Sequence, residues 1–167
     1  TLDIKEPGLN VLPPGVERHV VNAGGLTGLQ IFPDDEIEII NEEGNQICEI
    51  ICFDKDGKSE LGILNQKENC KKSFIKELLK GKDESSLITN LQLKKRNLDI
   101  NKSKSSILFD EQTPSGEKIK IKSKDKCYVI FAAPQNNMLV SEQNPSSDLT
   151  LFIKRYKIVN DKELSII

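Results

Sequence analysis

Tryptophan is absent from the 167-residue sequence, and histidine and methionine occur once each. Aromatic residues make up only 5% of the chain. A single histidine, His19, excludes any site built from two imidazoles, including the HExxH zinc helix and multi-histidine zinc centres. Neither sign of charge dominates: 24 Lys and Arg against 26 Asp and Glu leave a net charge of −2. Chains that grip nucleic acid usually carry a strong basic excess, so nucleic acid is not an expected partner. No apolar run approaches the roughly 18 residues needed to cross a membrane, and the first residues show no signal-peptide pattern. The expectation is a cytoplasmic chain with no membrane partner. GxGxxG, P-loop and GxSxG motifs are also missing, and Gly24, Gly25 and Gly28 lack phosphate-loop spacing.

The four cysteines, Cys48, Cys52, Cys70 and Cys127, form no CxxC pair. Cys48 and Cys52 on one strand lie about 13–14 Å apart at roughly 3.4 Å per residue. A disulfide needs Cα atoms within about 7 Å, so the two share a face without bonding to each other. Buried, inert thiols are expected, with Cys70 on a helix and Cys127 opening a strand. Asp54-Lys55-Asp56-Gly57 begins like a calcium loop, but an EF-hand needs glycine at the sixth loop position and glutamate at the twelfth, whereas Gly57 stands at the fourth and Asn65 at the twelfth. It reads better as a turn. Asp34, Asp35, Glu36 and Glu38 read as solvated acids. The sequence assigns no catalytic residue and no metal-ligand set.

Hydrophobic residues make up 37% of the chain, low for a globular protein, but the small net charge argues against wholesale disorder. Pro7, Gly8, Pro13, Pro14 and Gly15 make 1–17 an extended arm, leaving 18–167 as a single β-rich domain. Short strands are expected over 18–23, 28–32, 36–39, 46–53, 106–109, 118–122, 127–132 and 149–156. The alternation over 36–39, the turn at Glu42-Glu43-Gly44-Asn45 and the run to Phe53 suggest a β-hairpin. Phe74/Leu78 and Ile75/Leu79 at i, i+4 place the chief helix over 67–80, whereas 82–106 has no clear period. The expected fold is mainly β, a β-sandwich or flattened barrel with one main helix. Ile37, Ile39, Ile47, Ile51, Ile119, Ile121, Val129, Phe131, Leu149, Leu151 and Ile153 are its expected core.

The stretch Glu42-Glu43-Gly44-Asn45-Gln46-Ile47-Cys48-Glu49-Ile50-Ile51-Cys52-Phe53 resembles the central motif of the urea carboxylase-associated family. Pro14-Gly15 through Ile31 resembles that family's opening. Further along, Ile107-Leu108-Phe109-Asp110, Thr113-Pro114-Ser115-Gly116, Ala132-Ala133-Pro134 and Gln143-Asn144-Pro145-Ser146-Ser147-Asp148-Leu149 continue in the same order. They are similar to the version found N-terminal to glycine-cleavage T-protein-like aminomethyltransferases. The resemblance implies an accessory N-terminal domain, itself non-catalytic, with a T-protein-like domain in cis. Tetrahydrofolate and the one-carbon chemistry of methylated amines would belong to that second domain, with no cofactor in this segment. The apolar end Leu164-Ser165-Ile166-Ile167 fits either the N-terminal piece of a longer chain or a last strand that ends the protein.

Two alternatives stay open: a stand-alone enzyme acting on a small urea- or guanidine-type compound, and a module binding a small molecule. Stand-alone members of the family carry further Cys- and Trp-containing motifs that this sequence lacks. If a ligand pocket exists, the motif points to Asn45, Gln46 and Glu49 as its polar groups. On a regular strand Gln46 and Cys48 share one face and Glu49 takes the other, so only a bulge would bring all three together.

Overall fold

The computed structural model describes residues 12–135 and 146–157. Among these residues eight strands form the frame: β1 (Val16–Val21), β2 (Leu26–Ile31), β3 (Glu36–Asn41), β4 (Cys48–Asp54), β5 (Ser105–Phe109), β6 (Glu117–Lys122), β7 (Cys127–Ala132) and β8 (Leu149–Lys154). Between β4 and β5 lie a 3-10 turn (Leu61–Leu64), the short helix α1 (Phe74–Leu78), the longer α2 (Glu84–Lys95) and a second 3-10 turn (Ile100–Lys102). The strands make two four-stranded sheets in the orders β1-β8-β3-β6 and β2-β7-β4-β5. Every neighbouring pair is antiparallel. Successive strands change sheet at each step except β4 to β5, which is the winding of an eight-stranded jelly roll. The sandwich expected from the sequence is therefore present.

Pleating explains how each strand serves the core. In the first sheet Ile121, Ile37 and Ile153 stand in one row, and Ile119, Ile39 and Leu151 in the next. All but Ile119, which is half-buried, are sealed from solvent. Their partners from the second sheet are Cys48, Ile50, Cys52, Val129 and Phe131. The opposite face of β4 and β7 carries Ile51, Phe53, Tyr128, Ile130 and Ala132, which join Ile75, Leu79 and Leu93 of the helical region in a second apolar cluster. Both central strands are thus buried on two sides, so they lack the polar–apolar alternation of a half-exposed strand. The outer edge strand β6 keeps it, with Lys118, Lys120 and Lys122 facing water.

Four expectations need correction. First, 36–53 is not a hairpin: β3 and β4 lie in opposite sheets. The chain crosses between them through Gly44 and Asn45, at φ +78° and +60°. A Cβ on Gly44 would stand 2.7 Å from Ser115 N, so the crossing also needs glycine for space. Second, helix within 67–80 is confined to Phe74–Leu78, where the Ser73 hydroxyl accepts from Lys76 N as cap. Cys70 therefore lies before the helix, bridged to Ser105. Third, the main helix is α2. Its buried face carries Ser86, Thr89 and Leu93, while Leu87, Ile88 and Leu91 are 50–66% exposed, so its apolar residues do not mark the buried side. Fourth, β1 begins at Val16, inside the expected arm.

The orientation of α2 is testable. Leu93→Ala is expected to cost about 2–5 kcal/mol by opening a cavity in the second cluster. Leu91→Ala, on the exposed side, is expected to stay within about 0.5 kcal/mol. Urea unfolding of both variants checks this, and equal losses would refute the orientation.

Candidate functional site

The motif residues are brought near one another but not around a cavity. Asn45 is exposed in the crossing turn, where its N–H donates to Thr113 O at 2.7 Å. Gln46 is fully buried. Its side-chain amide donates to Pro134 O (2.7 Å) and Ile47 O (2.9 Å), and its Oε1 accepts from Ser147 N (2.8 Å). It thus holds both ends of the connection from β7 to β8. Glu49 is also fully buried and points to the other face. Its carboxylate accepts from Ser73 Oγ (2.6 Å), Phe74 N (2.7 Å) and Ile75 N (3.1 Å), satisfying the free N–H groups at the start of α1. The register does slip between Cys48 and Glu49, with Leu108 of β5 as the extra residue, but Gln46 and Glu49 stay on opposite sides. All three serve the frame.

Of the four thiols expected to be buried, Cys48, Cys52 and Cys127 are, whereas Cys70 is only partly so. Cys52 shares a hydrogen bond with Cys127; that bond and burial hold its thiol well above the ordinary 9.0. Burial, with the nearby Glu49 carboxylate, raises Cys48 in the same way. Such thiols are protonated and poor nucleophiles. Among the described residues no three His, Cys, Asp or Glu side chains gather as a metal-binding group.

The acids at 34–38 are only partly solvated. Glu38 pairs loosely with Lys120 and Asp34 with Lys122 at the surface. Asp35, by contrast, is 1% exposed and accepts from Arg155 Nη1 at 2.8 Å and from Tyr156 N at 2.9 Å. The Arg155 guanidinium also donates to Gln30 O and to both Glu17 oxygens. Sequence reasoning missed this network, yet a signal was present. Leu149, Leu151 and Ile153 point inward on β8, and Arg155 continues their phase. Across the ladder, Glu17 stands opposite Ile153 and His19 opposite Leu151. Charged groups therefore occupy core-phase positions where the edge strands β1 and β2 flank the mouth of the sandwich.

Beside this polar mouth lies a cleft of about 650 Å³ between β2 and α2. Glu17, His19 and Arg155 line one end, Leu26 through Gln30 the floor, and Ser85, Ile88, Thr89, Gln92 and Arg96 the helical wall. Glu17 bonds to His19 Nε2 at 3.0 Å. The interior between the sheets is filled by apolar side chains, so these surface clefts are the concave space that the described residues offer.

Fold and site together define a jelly-roll domain with a filled interior and a polar flank. No protein-family model matches the chain. Among curated proteins it is similar to trimethylamine-oxide aldolase of Ruegeria pomeroyi, with 34% identity over 152 residues. The match takes in 91% of this chain and 19% of that relative, so the chain spans less than a fifth of the relative's length.

Two outcomes follow from this geometry. The hydrogen bond from His19, outweighing burial and reinforced by Arg155, pulls Glu17 from the ordinary 4.5 down to about 2. Its folded value lies below its unfolded one, so its stabilisation is complete above about pH 4.5 and is lost as the pH falls towards about 2. Glu17→Gln is expected to flatten the acid-unfolding profile in that window; a slope equal to wild type would contradict it. Gln46→Ala leaves buried backbone groups unmatched and is expected to cost about 1–3 kcal/mol in urea unfolding.

Proposed function

We propose that the chain is a non-catalytic accessory domain of a larger methylated-amine enzyme, and that it belongs to the urea carboxylase-associated type joined to a T-protein-like domain. The observation that carries this reading is the asymmetry of coverage: nearly all of this chain aligns with a small fraction of trimethylamine-oxide aldolase. The reaction of the whole enzyme then belongs to residues outside this domain. We assign to that remainder the transfer of a one-carbon unit from a methylated amine to tetrahydrofolate. Assigning the cofactor there is supported by the interior of this jelly roll, which is packed with apolar side chains and the protonated thiols Cys48 and Cys52.

The outer face of α2 supports the same reading. Leu87, Ile88 and Leu91 place three large apolar side chains in solvent on one short helix. Such a group suits contact with a second domain of the same chain better than free exposure.

The test uses the Ruegeria pomeroyi relative in three forms: intact, lacking the segment that matches this chain, and with this chain substituted for that segment. Consumption of trimethylamine N-oxide and of tetrahydrofolate is measured for each, and for the isolated 167 residues. Turnover is expected in the intact and substituted enzymes and not in the isolated chain. Turnover by the isolated chain would overturn the accessory-domain reading. Folate-independent turnover by the intact enzyme would overturn the folate assignment alone.

A further inference from the structure

Under α2, two hydrogen-bond donors are buried without an acceptor among the described residues: Tyr128 Oη and Arg96 Nε. They belong to one arrangement. The Arg96 guanidinium sits over the Tyr128 ring, 4.4 Å from its centroid. Tyr128 is 4% exposed and lies across the face of β2. Its hydroxyl fills the place that a side chain at Gly28 would take, since a Cβ there would come within 1.8 Å of Oη. Glycine at 28 is thus required for space, and it is what lets a tyrosine hydroxyl reach the floor of the cleft. Burial pushes the phenol up to about 12, with Arg96 opposing, so the group is a neutral donor near pH 7.

Burying an unmatched donor is costly, and two neighbouring ones share a remedy: a single acceptor placed between them. The charges nearby favour an anion. Lys95 and Arg96 line both this cleft and the adjoining one of about 450 Å³, to which Lys126 also contributes. Of the acids close by, Asp56 lines the adjoining cleft beside Lys55, and two others are already engaged. Glu17 holds Arg155 and His19, and Asp54 accepts from Asp56 N and Lys58 N in its own turn. The rest of the cleft lining is mixed: Leu26 and Ile88 are apolar, and Thr27, Ser85, Thr89 and Gln92 are polar.

We propose that the cleft between β2 and α2 binds a small organic acid, whose carboxylate accepts from Tyr128 Oη and Arg96 Nε while its apolar body lies along Leu26 and Ile88. Both donor atoms are closed to solvent, so the acid reaches them by moving Arg96 off the ring. That side chain is tethered by its Nη1 bond to Gln92 Oε1 on the same helix, so the movement needs no change in either sheet. The assignment needs no catalysis and shares only Ile88 with the α2 face offered to a second domain.

The 167-residue chain is titrated with benzoate, benzamide and inorganic phosphate, following melting temperature and calorimetric heat. Benzoate is expected to bind and raise the melting temperature. Benzamide, of the same shape without the charge, is expected to bind at least tenfold more weakly. Tyr128→Phe removes one oxygen and relieves a buried unmatched hydroxyl, so the variant is expected to be at least as stable as wild type. Its benzoate affinity should nevertheless fall tenfold or more. Arg96→Lys keeps the charge and loses Nε, and is expected to weaken benzoate similarly. No response to benzoate, or wild-type affinity in Tyr128→Phe, would overturn the site. Equal responses to phosphate and benzoate would overturn the organic-acid class.

Discussion

Strands β4 and β7 have no solvent face. Their inward side chains complete the interior of the jelly roll, and their outward side chains, among them Ile51, Phe53 and Ile130, are equally apolar. A second covering layer is therefore obligatory, and the long connection from β4 to β5 supplies it with α1 and α2. The local details follow from that covering. Glu49 is an outward position of β4 beneath the start of α1, so its buried carboxylate is spent on free helix N–H groups. Tyr128 is an outward position of β7 beneath α2, so its ring meets Arg96 and its hydroxyl meets Gly28. Capping acid and buried phenol both derive from sandwiching a sheet between a core and a helical layer.

The strands were largely legible in the sequence because alternation and short apolar runs report burial directly. Positions 127–132 were read to the residue, and the expected core was sound apart from the partial exposure of Ile119. Connectivity was not legible. A polar–apolar strand, a turn and a returning apolar strand look the same whether the chain folds back within one sheet or crosses to the other, and β3 to β4 crosses. The main helix was hidden for a different reason. Its buried face is built from Ser86, Thr89 and Leu93, while three large apolar residues face outward, which inverts the usual signal. Positions 136–145, part of the resemblance to the urea carboxylase-associated family, lie outside the described residues.

The candidate site was the least legible part. Asn45, Gln46 and Glu49 stood out because a motif held them together, yet Gln46 is spent on backbone groups and Glu49 on two backbone N–H groups and the Ser73 hydroxyl, all within the domain. The residues that shape the cleft come from five separated stretches, with Glu17, Gly28, Arg96, Tyr128 and Arg155 as examples. Spacing along the chain carries no trace of that convergence. What the sequence does hold is phase: Arg155 in step with Ile153, and Glu17 and His19 in step with Val21, are polar residues written where a core residue would be expected. They meet in one hydrogen-bonded cluster with Asp35, with Arg155 raised above its usual value because two carboxylates outweigh the cost of its burial.

The clamp made by Gln46 bears on chain length. One buried side chain ties Pro134 to Ser147, so the two ends of the connection from β7 to β8 are held together. Closing a longer loop between fixed ends costs only about 0.6 kcal/mol for each doubling of its length, so sequence inserted between these two anchors is expected to leave both sheets in place.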